Sequence, residues 1–309
     1  MIRLGFAVRS LTRPGLGSVA TPQRRPHLSV ALAALEELLP HLHRIGVRFY
    51  RAPLGLPADG FAELADCTAQ LEHLAGRLDA AGVRVAVHLD HGVALGTADG
   101  AAAAEAAAAI EATAALLEAL DARRGGAVEG TMVAHVGGPA GDGGTLPRFA
   151  ARYLALSGRA RARLAVEHEG AGHSLGRLLA LHRRCGAPVV FDAHHWALHN
   201  PERLPLGLAL GLALATWPRG TRPEVHLSSP RGEAHLLPRR AGGPPRVLPP
   251  RPGQHADFVA AGDLERLLVA ARGLPPFDLM IEAKAGDMAL LRLRAEIGRL
   301  APALAAGLG

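Results

Sequence analysis

The sequence predicts a (β/α)₈ barrel with a cluster of metal-ligating side chains at one end. Three observations carry that prediction. Short apolar, strand-like runs alternate with longer amphipathic stretches almost from end to end, eight of each. No GxGxxG or GxxxxGK(S/T) phosphate turn follows the first run, where a doubly wound open sheet usually carries one. Six of the eight strand-like runs carry an acid or a histidine at their last or next-to-last position, although an unpaired buried charge is very costly.

The elements follow in order. Residues 2–8 and 47–51 are short apolar runs, separated by a helical pattern over 29–45 with leucines at 32, 35, 38, 39 and 42. A second helical pattern, 63–81, leads to the valine-rich run 83–88. The stretch 101–122 opens with alanines around Glu105, strong helix formers that pack as a thin spacer, and precedes the run 131–136. Helical patterns at 146–158 and 174–185 alternate with the runs 163–167 and 188–192. A helix over 202–216 then leads to the strand 224–227. Residues 228–253, rich in Pro, Gly and Arg, are expected to form a long irregular loop on the face where barrels shape their substrate sites. The last helices, 262–273 and 286–298, flank the strand 279–282.

Bulk properties agree with one globular unit. The chain has 309 residues, 49% hydrophobic and 20% charged, and no linker or charge run divides it, so 1–309 is expected to be a single barrel domain. No uncharged apolar run of membrane-spanning length appears, and the first residues lack the layout of a signal peptide. Cys67 and Cys185 are the only cysteines, which argues against a disulfide framework and for a reducing, cytoplasmic setting. The net charge of +6 favours an anionic partner such as nucleic acid, although a chain with Lys284 as its only lysine also suits a plain arginine bias.

The chemistry is concentrated at the strand ends. His88, His135, Glu167, Asp192, His226 and Glu282 each follow an apolar run, and a barrel gathers those ends around one axis at the face where barrel enzymes place their sites. Imidazoles and carboxylates converging in this way are hard to satisfy without a cation. His195 stands three residues after Asp192 and can face a neighbouring cation. His255 and Asp257 form an alternate-residue pair able to point the same way if extended. The mixed donor set suits Zn²⁺, Mn²⁺ or Fe²⁺, with no thiol among the candidates.

These phrases also resemble a known family, the ultraviolet damage endonucleases, whose fold relatives include endonuclease IV and the xylose-isomerase-like barrels. The matching residues are Arg3-Leu4-Gly5-Phe6, Phe49-Tyr50-Arg51, Met132-Val133-Ala134-His135-Val136-Gly137-Gly138 and Leu164-Ala165-Val166-Glu167. They continue through Pro188-Val189-Val190-Phe191-Asp192, His194-His195, Asn200-Pro201, Val225-His226-Leu227-Ser228-Ser229, His255-Ala256-Asp257 and Met280-Ile281-Glu282-Ala283-Lys284.

The resemblance implies two or three divalent cations. His88, His135 and Glu167 would hold one, while Glu167 would bridge to a second that is also held by Asp192, His226 and Glu282. His195 and His255 would hold a third. It further implies phosphodiester cleavage in damaged duplex DNA by a metal-bound hydroxide attacking phosphorus in line, with Glu167, Asp192 and Glu282 as the central carboxylates. Glu224, Asp257 and His194 stand as further ligands or their supports, and Arg51, His91 and Lys284 as substrate contacts. Arg219, Arg222, Arg231, Arg239, Arg240, Arg246 and Arg251 could meet phosphates.

Departures from the family pattern fall at the lesion reader and beside the metal ligands. After the first ligand histidine the family carries Pro-Gly-Gln-Tyr, whose Gln-Tyr pair probes the duplex; here Leu89-Asp90-His91-Gly92 follows His88. Two residues before His226 the family has a lysine, and this chain has Glu224. A divergent DNA-nicking enzyme is therefore weighed against a small-molecule or peptide-modifying metalloenzyme on the same scaffold, and against a non-catalytic nucleic-acid-binding relative.

Overall fold

The structure, a computed structural model, describes residues 1–8, 10–12, 25–237, 243 and 245–309. Eight parallel strands close into a barrel: β1 (Arg3–Ala7), β2 (Phe49–Arg51), β3 (Arg84–His88), β4 (Thr131–Ala134), β5 (Leu164–Glu167), β6 (Val189–Asp192), β7 (Glu224–Leu227) and β8 (Asp278–Ile281). Each pairs with its neighbours in sequence, and β1 closes the ring against β8. Helices connect successive strands around the outside, as the alternating pattern requires.

The period of two divides each strand between two environments. Outward-facing residues, among them Leu4, Phe6, Val85, Val87, Met132, Val166, Phe191, Val225, Leu279 and Ile281, join the helices in one large apolar core. Inward-facing residues form the barrel's filling. Phe49, Ala86 and Met280 make one apolar cluster, and Val133, Ala165 and Val190 belong to another with Trp217. Gly5 pairs with Phe49 in register, and a Cβ there would lie 2.5 Å from the Phe49 carbonyl oxygen, so only glycine leaves room for that ring.

Below the apolar filling lies a polar plug. Arg84 is fully buried and donates to Asp278 Oδ2 (2.7 Å), Thr131 Oγ1 (2.9 Å) and the Glu129 carbonyl (2.8 Å). Its guanidinium also sits 5.0 Å from the Phe49 ring centroid. Arg3 and Arg222 complete the charge around Asp278. This places Arg222 at the N-terminal ends of the strands, away from the ligand face, so it is a structural partner of Asp278 and no phosphate contact.

Several boundaries differ from the sequence reading. The helix expected over 63–81 is two helices, Phe61–Asp66 and Thr68–Ala81, joined at Cys67. A short helix, Gly158–Arg163, precedes β5, and another, Ala193–Leu198, follows β6 directly. The expected irregular loop contains two small antiparallel pairs, Pro230–Arg231 with Arg251–His255 and His235–Leu237 with Arg246–Leu248. Proline in Arg251–His255 hides its strand character, which an edge strand tolerates. Arg231 is buried and bonded to the Pro249 carbonyl, whereas Arg246 and Arg251 are exposed; Arg239 and Arg240 lie outside the described residues. The helix Gly100–Leu120 has the length and composition of a membrane span, yet half of that stretch is buried, and it packs on Thr68–Ala81 and Gly158–Arg163.

Candidate metal centre

Register places the ligands. His88, Glu167 and Asp192 are the last residues of β3, β5 and β6, and His226 stands opposite Asp192 on β7. His135 and Glu282 lie one residue beyond β4 and β8; the Glu282 N–H donates to the Leu227 carbonyl at 2.9 Å, prolonging the strand pairing. His88, His135, Glu167 and Glu282 line a cleft of about 770 Å³ at the C-terminal ends of the strands, together with Arg51, His91, His195, His255 and Lys284, while Asp192 and His226 are fully buried behind it.

Two ligand groups share Glu167. Ligand atoms of His88, His135 and Glu167 lie within 4.8 Å of one another, as do those of Glu167, Asp192, His226 and Glu282. His88 Nε2 is 3.0 Å from Glu167 Oε2, and its Nδ1 donates to the Leu89 carbonyl at 2.9 Å, which leaves Nε2 free to act as an acceptor or ligand. His226 Nδ1 lies 3.2 Å from Glu167 Oε1 and 3.4 Å from Glu282 Oε1. His195 Nδ1 is also 3.2 Å from Glu167 Oε1, and His255 Nδ1 is 3.5 Å from Glu282 Oε2.

The donor set fits cations. His135 Nδ1, Glu167 Oε1, Asp192 Oδ2 and His226 Nδ1 are buried with no hydrogen-bond partner among the described residues. Each such atom costs about 1–3 kcal/mol if nothing takes its lone pair or proton. Four in one cluster, all of ligand chemistry, match an ion better than a repeated packing fault.

Electrostatics agree. Burial works against ionisation of Glu167, but His226, His195 and His88 hold its carboxyl well below the usual range. Despite burial, His226 is pushed up to about 10 by Glu167 and Glu282, and His195 to about 10 by Asp192 and Glu167. Burial raises Asp192 and lowers His135 to about 4. Protons on His226 and His195 thus balance carboxylate charge that a cation could balance instead.

Supporting residues fix the ligands' orientation. Asp192 caps the helix Ala193–Leu198 by accepting from the His195 N–H, which sets His195 over the cleft. His168 is fully buried; its Nε2 accepts from the Asp192 N–H (3.1 Å), and its carbonyl accepts from His195 Nδ1 (2.9 Å). The same burial pushes the His168 imidazole down to about 3. Positive φ at Gly137 and Gly138 turns the chain after His135, and a Cβ on Gly137 would lie 2.1 Å from that of Ala94.

Other expected residues sort differently. Glu224 lies beneath His226, accepting from Thr131 Oγ1 at 3.1 Å. His194 is buried with its ring 5.8 Å from that of His255, and its Nε2 has no hydrogen-bond partner among the described residues. His91 is exposed at the mouth and stacks on His135 with centroids 4.5 Å apart. Lys284 lines the cleft and stays partly exposed. Arg51 sits among the ligands, bonded to Glu282 and His226, and not out at the mouth as a simple substrate contact.

Asp257 does not join His255. The strand ends at His255, so the alternation stops there, and Asp257 turns to Glu233, His235 and Lys284. Sequence reasoning missed Arg84 and Thr131, although both lie an even number of residues before the ligands His88 and His135 and so share their inward face.

Comparison with known proteins now bears on this geometry. Residues 28–303 match the family described as UV-endonuclease UvdE. The chain belongs to that family. A UV DNA damage endonuclease of Bacillus velezensis is 32% identical over 169 residues, 54% of this chain and 48% of the relative. A UV-damage endonuclease of Neurospora crassa is 31% identical over 177 residues, 53% of this chain and 24% of the relative. The UvdE-family chain thus matches about half, or less, of the length of these relatives. Among solved structures, SacUVDE superposes with a TM-score of 0.76 at 20% identity, covering 97% of this chain and 99% of that one. Endonuclease IV from Thermus thermophilus gives 0.57 at 18% identity, covering 96% and 99%. At such identities the two structures speak for the barrel fold.

Proposed function

We propose that this UvdE-family chain is a metal-dependent endonuclease that nicks duplex DNA beside a lesion. The observation that carries the reading is the sharing of Glu167 between two groups of strand-end ligands at the floor of an open cleft. His88 and His135 would hold one cation with Glu167, and Asp192, His226 and Glu282 a second, with His195 and His255 available to a third. Mn²⁺, Zn²⁺ and Fe²⁺ all suit these donors. Bound cations supply an acidified water as nucleophile near neutral pH and positive charge beside the phosphorus.

The chain's own groups do the positioning. Lys284 and the exposed Arg246 and Arg251 offer positive charge for a DNA backbone, and His91 presents a flat ring at the mouth. Residues 1–309 act in this reading as one barrel domain. The free thiols of Cys67 and Cys185 suit a cytoplasmic setting.

Incision of UV-irradiated against intact duplex DNA, by purified protein supplied with Mn²⁺, tests the reading. Lesion-dependent nicking is the expected result. Metal-loaded protein that leaves irradiated duplex intact would overturn it and return attention to a small-molecule or peptide substrate.

A further inference from the structure

Beneath the ligand cluster, Arg51 Nη2 and His226 Nε2 approach to 2.6 Å, and Glu224 Oε1 lies 3.4 Å from the first and 3.1 Å from the second. All three side chains are buried. The guanidinium can only donate, so Nε2 must accept if Arg51 bonds to it, and the ring proton then sits on Nδ1. Yet Nδ1 is the atom aimed at Glu167 Oε1 and Glu282 Oε1. A cation shared with those carboxylates needs the Nδ1 lone pair, which moves the ring proton to Nε2. Arg51 and His226 would then both be donors at one point. Glu224 Oε1 is the acceptor within reach of both.

We propose that Glu224 is the positioning residue of the centre, taking the His226 Nε2–H and the Arg51 charge together so that His226 Nδ1 and Glu282 face the cation. The proposal rests on the metal-centre reading but not on DNA as the substrate. Thr131 Oγ1 donates to Glu224 Oε2, and Arg84 Nη2 donates to Thr131 Oγ1, so the carboxylate is held from below by the polar plug. Arg51 also bonds Glu282 through Nη1. Left without Glu224, its charge would fall on that ligand and repel a cation beside it. A carboxylate behind a metal-binding histidine fixes its tautomer and strengthens it as a ligand, and losing such a partner weakens metal affinity by about 10- to 100-fold.

The test is Zn²⁺ and Mn²⁺ affinity by chelator competition on the full chain, with folding checked by circular dichroism. Glu224→Gln keeps an acceptor but loses the charge, so it should weaken binding by about 10-fold. Adding Arg51→Met to that variant should restore most of the loss, because the uncompensated charge goes with it. Unchanged affinity in Glu224→Gln, or losses that simply add in the double variant, would overturn the proposal. Wild-type protein that binds neither metal would remove the centre itself, a result distinct from a wild type that binds and a variant that binds equally well. If the variants do not fold, long-range ¹⁵N–¹H spectra of Zn²⁺-loaded wild type decide: a proton on His226 Nε2 supports the assignment, and one on Nδ1 sinks it.

Discussion

Asp192 Oδ1 accepts a hydrogen bond from the backbone N–H of His195 at 2.6 Å, while Asp192 Oδ2 is buried with no hydrogen-bond partner among the described residues. One carboxylate thus starts the helix Ala193–Leu198 and faces the ligand cluster. The bond ties the position of His195 to the ligand that ends β6, which makes the two residues a unit and not two independent donors.

That division of labour can be separated. Asp192→Asn retains an N-capping group, whereas Asp192→Ala loses it, at a cost of about 1 kcal/mol. With metal removed from both, the Asn variant should melt above the Ala variant by that margin in denaturant titrations. Both should lose metal-dependent activity, since neither supplies a carboxylate.

Glu167 belongs to both ligand groups, and His135 to one. Glu167→Ala should therefore lower metal content at both positions and activity by about 100-fold or more, while His135→Ala should empty one position only. Mass spectrometry of metal content, run beside the incision assay, checks this; equal stoichiometry in the two variants would contradict the shared role.

His91 stacks on His135 at 5° between planes and 4.5 Å between centroids, exposed at the cleft mouth. His91→Ala should leave metal content unchanged and weaken DNA binding by about 1 kcal/mol, the lower end of what a stacked aromatic contributes to a base. Fluorescence anisotropy with damaged duplex would report it, and an unaltered affinity would remove His91 from the substrate surface.

The barrel's lower end should tolerate damage poorly. Asp278 is buried and faces Arg3, Arg84 and Arg222. Asp278→Ala leaves the fully buried Arg84 uncompensated and should destabilise the fold by about 3–5 kcal/mol. Urea unfolding measures this.

At the upper rim, Asp287 accepts from Ser10 Oγ and the Leu11 N–H at 2.7 Å each, and lies 2.8 Å from His41 Nε2. Burial opposes its ionisation, but bonds from Thr12, Ser10 and His41 hold its carboxyl below the ordinary value of 3.8. The stabilisation is therefore fully present above about pH 4 and is lost as pH falls through the lower folded value. Asp287→Asn should cost about 2 kcal/mol at neutral pH and flatten the acid limb of stability. Melting curves between about pH 2 and 7 would show a persistent acid limb in the variant if this assignment were wrong.

Much of the centre was legible from residue order alone. His88, Glu167 and Asp192 end apolar strands and His226 stands one residue before the end of β7, and a polar residue at the end of a buried run needs a partner whatever the fold. Closure of eight strands then brings those ends together, so the barrel and its ligand face follow from alternation and period. The helix after β6 was missed because its start depends on the side chain of Asp192, which the sequence presents only as a ligand.

What residue order could not decide is anything set by distance across the barrel. Arg51 and Glu224 are far apart in sequence and on strands that do not pair, and they meet, 3.4 Å apart, only because closure turns both side chains into the barrel. Arg222 and the exposed Arg251 look alike in the sequence, yet one is bound to Asp278 at the lower end and the other stands on a hairpin beyond β7. Asp257 lost its place beside His255 when the extended backbone stopped one residue too soon. Strand period tells which face a side chain takes; register and closure alone tell what it meets there.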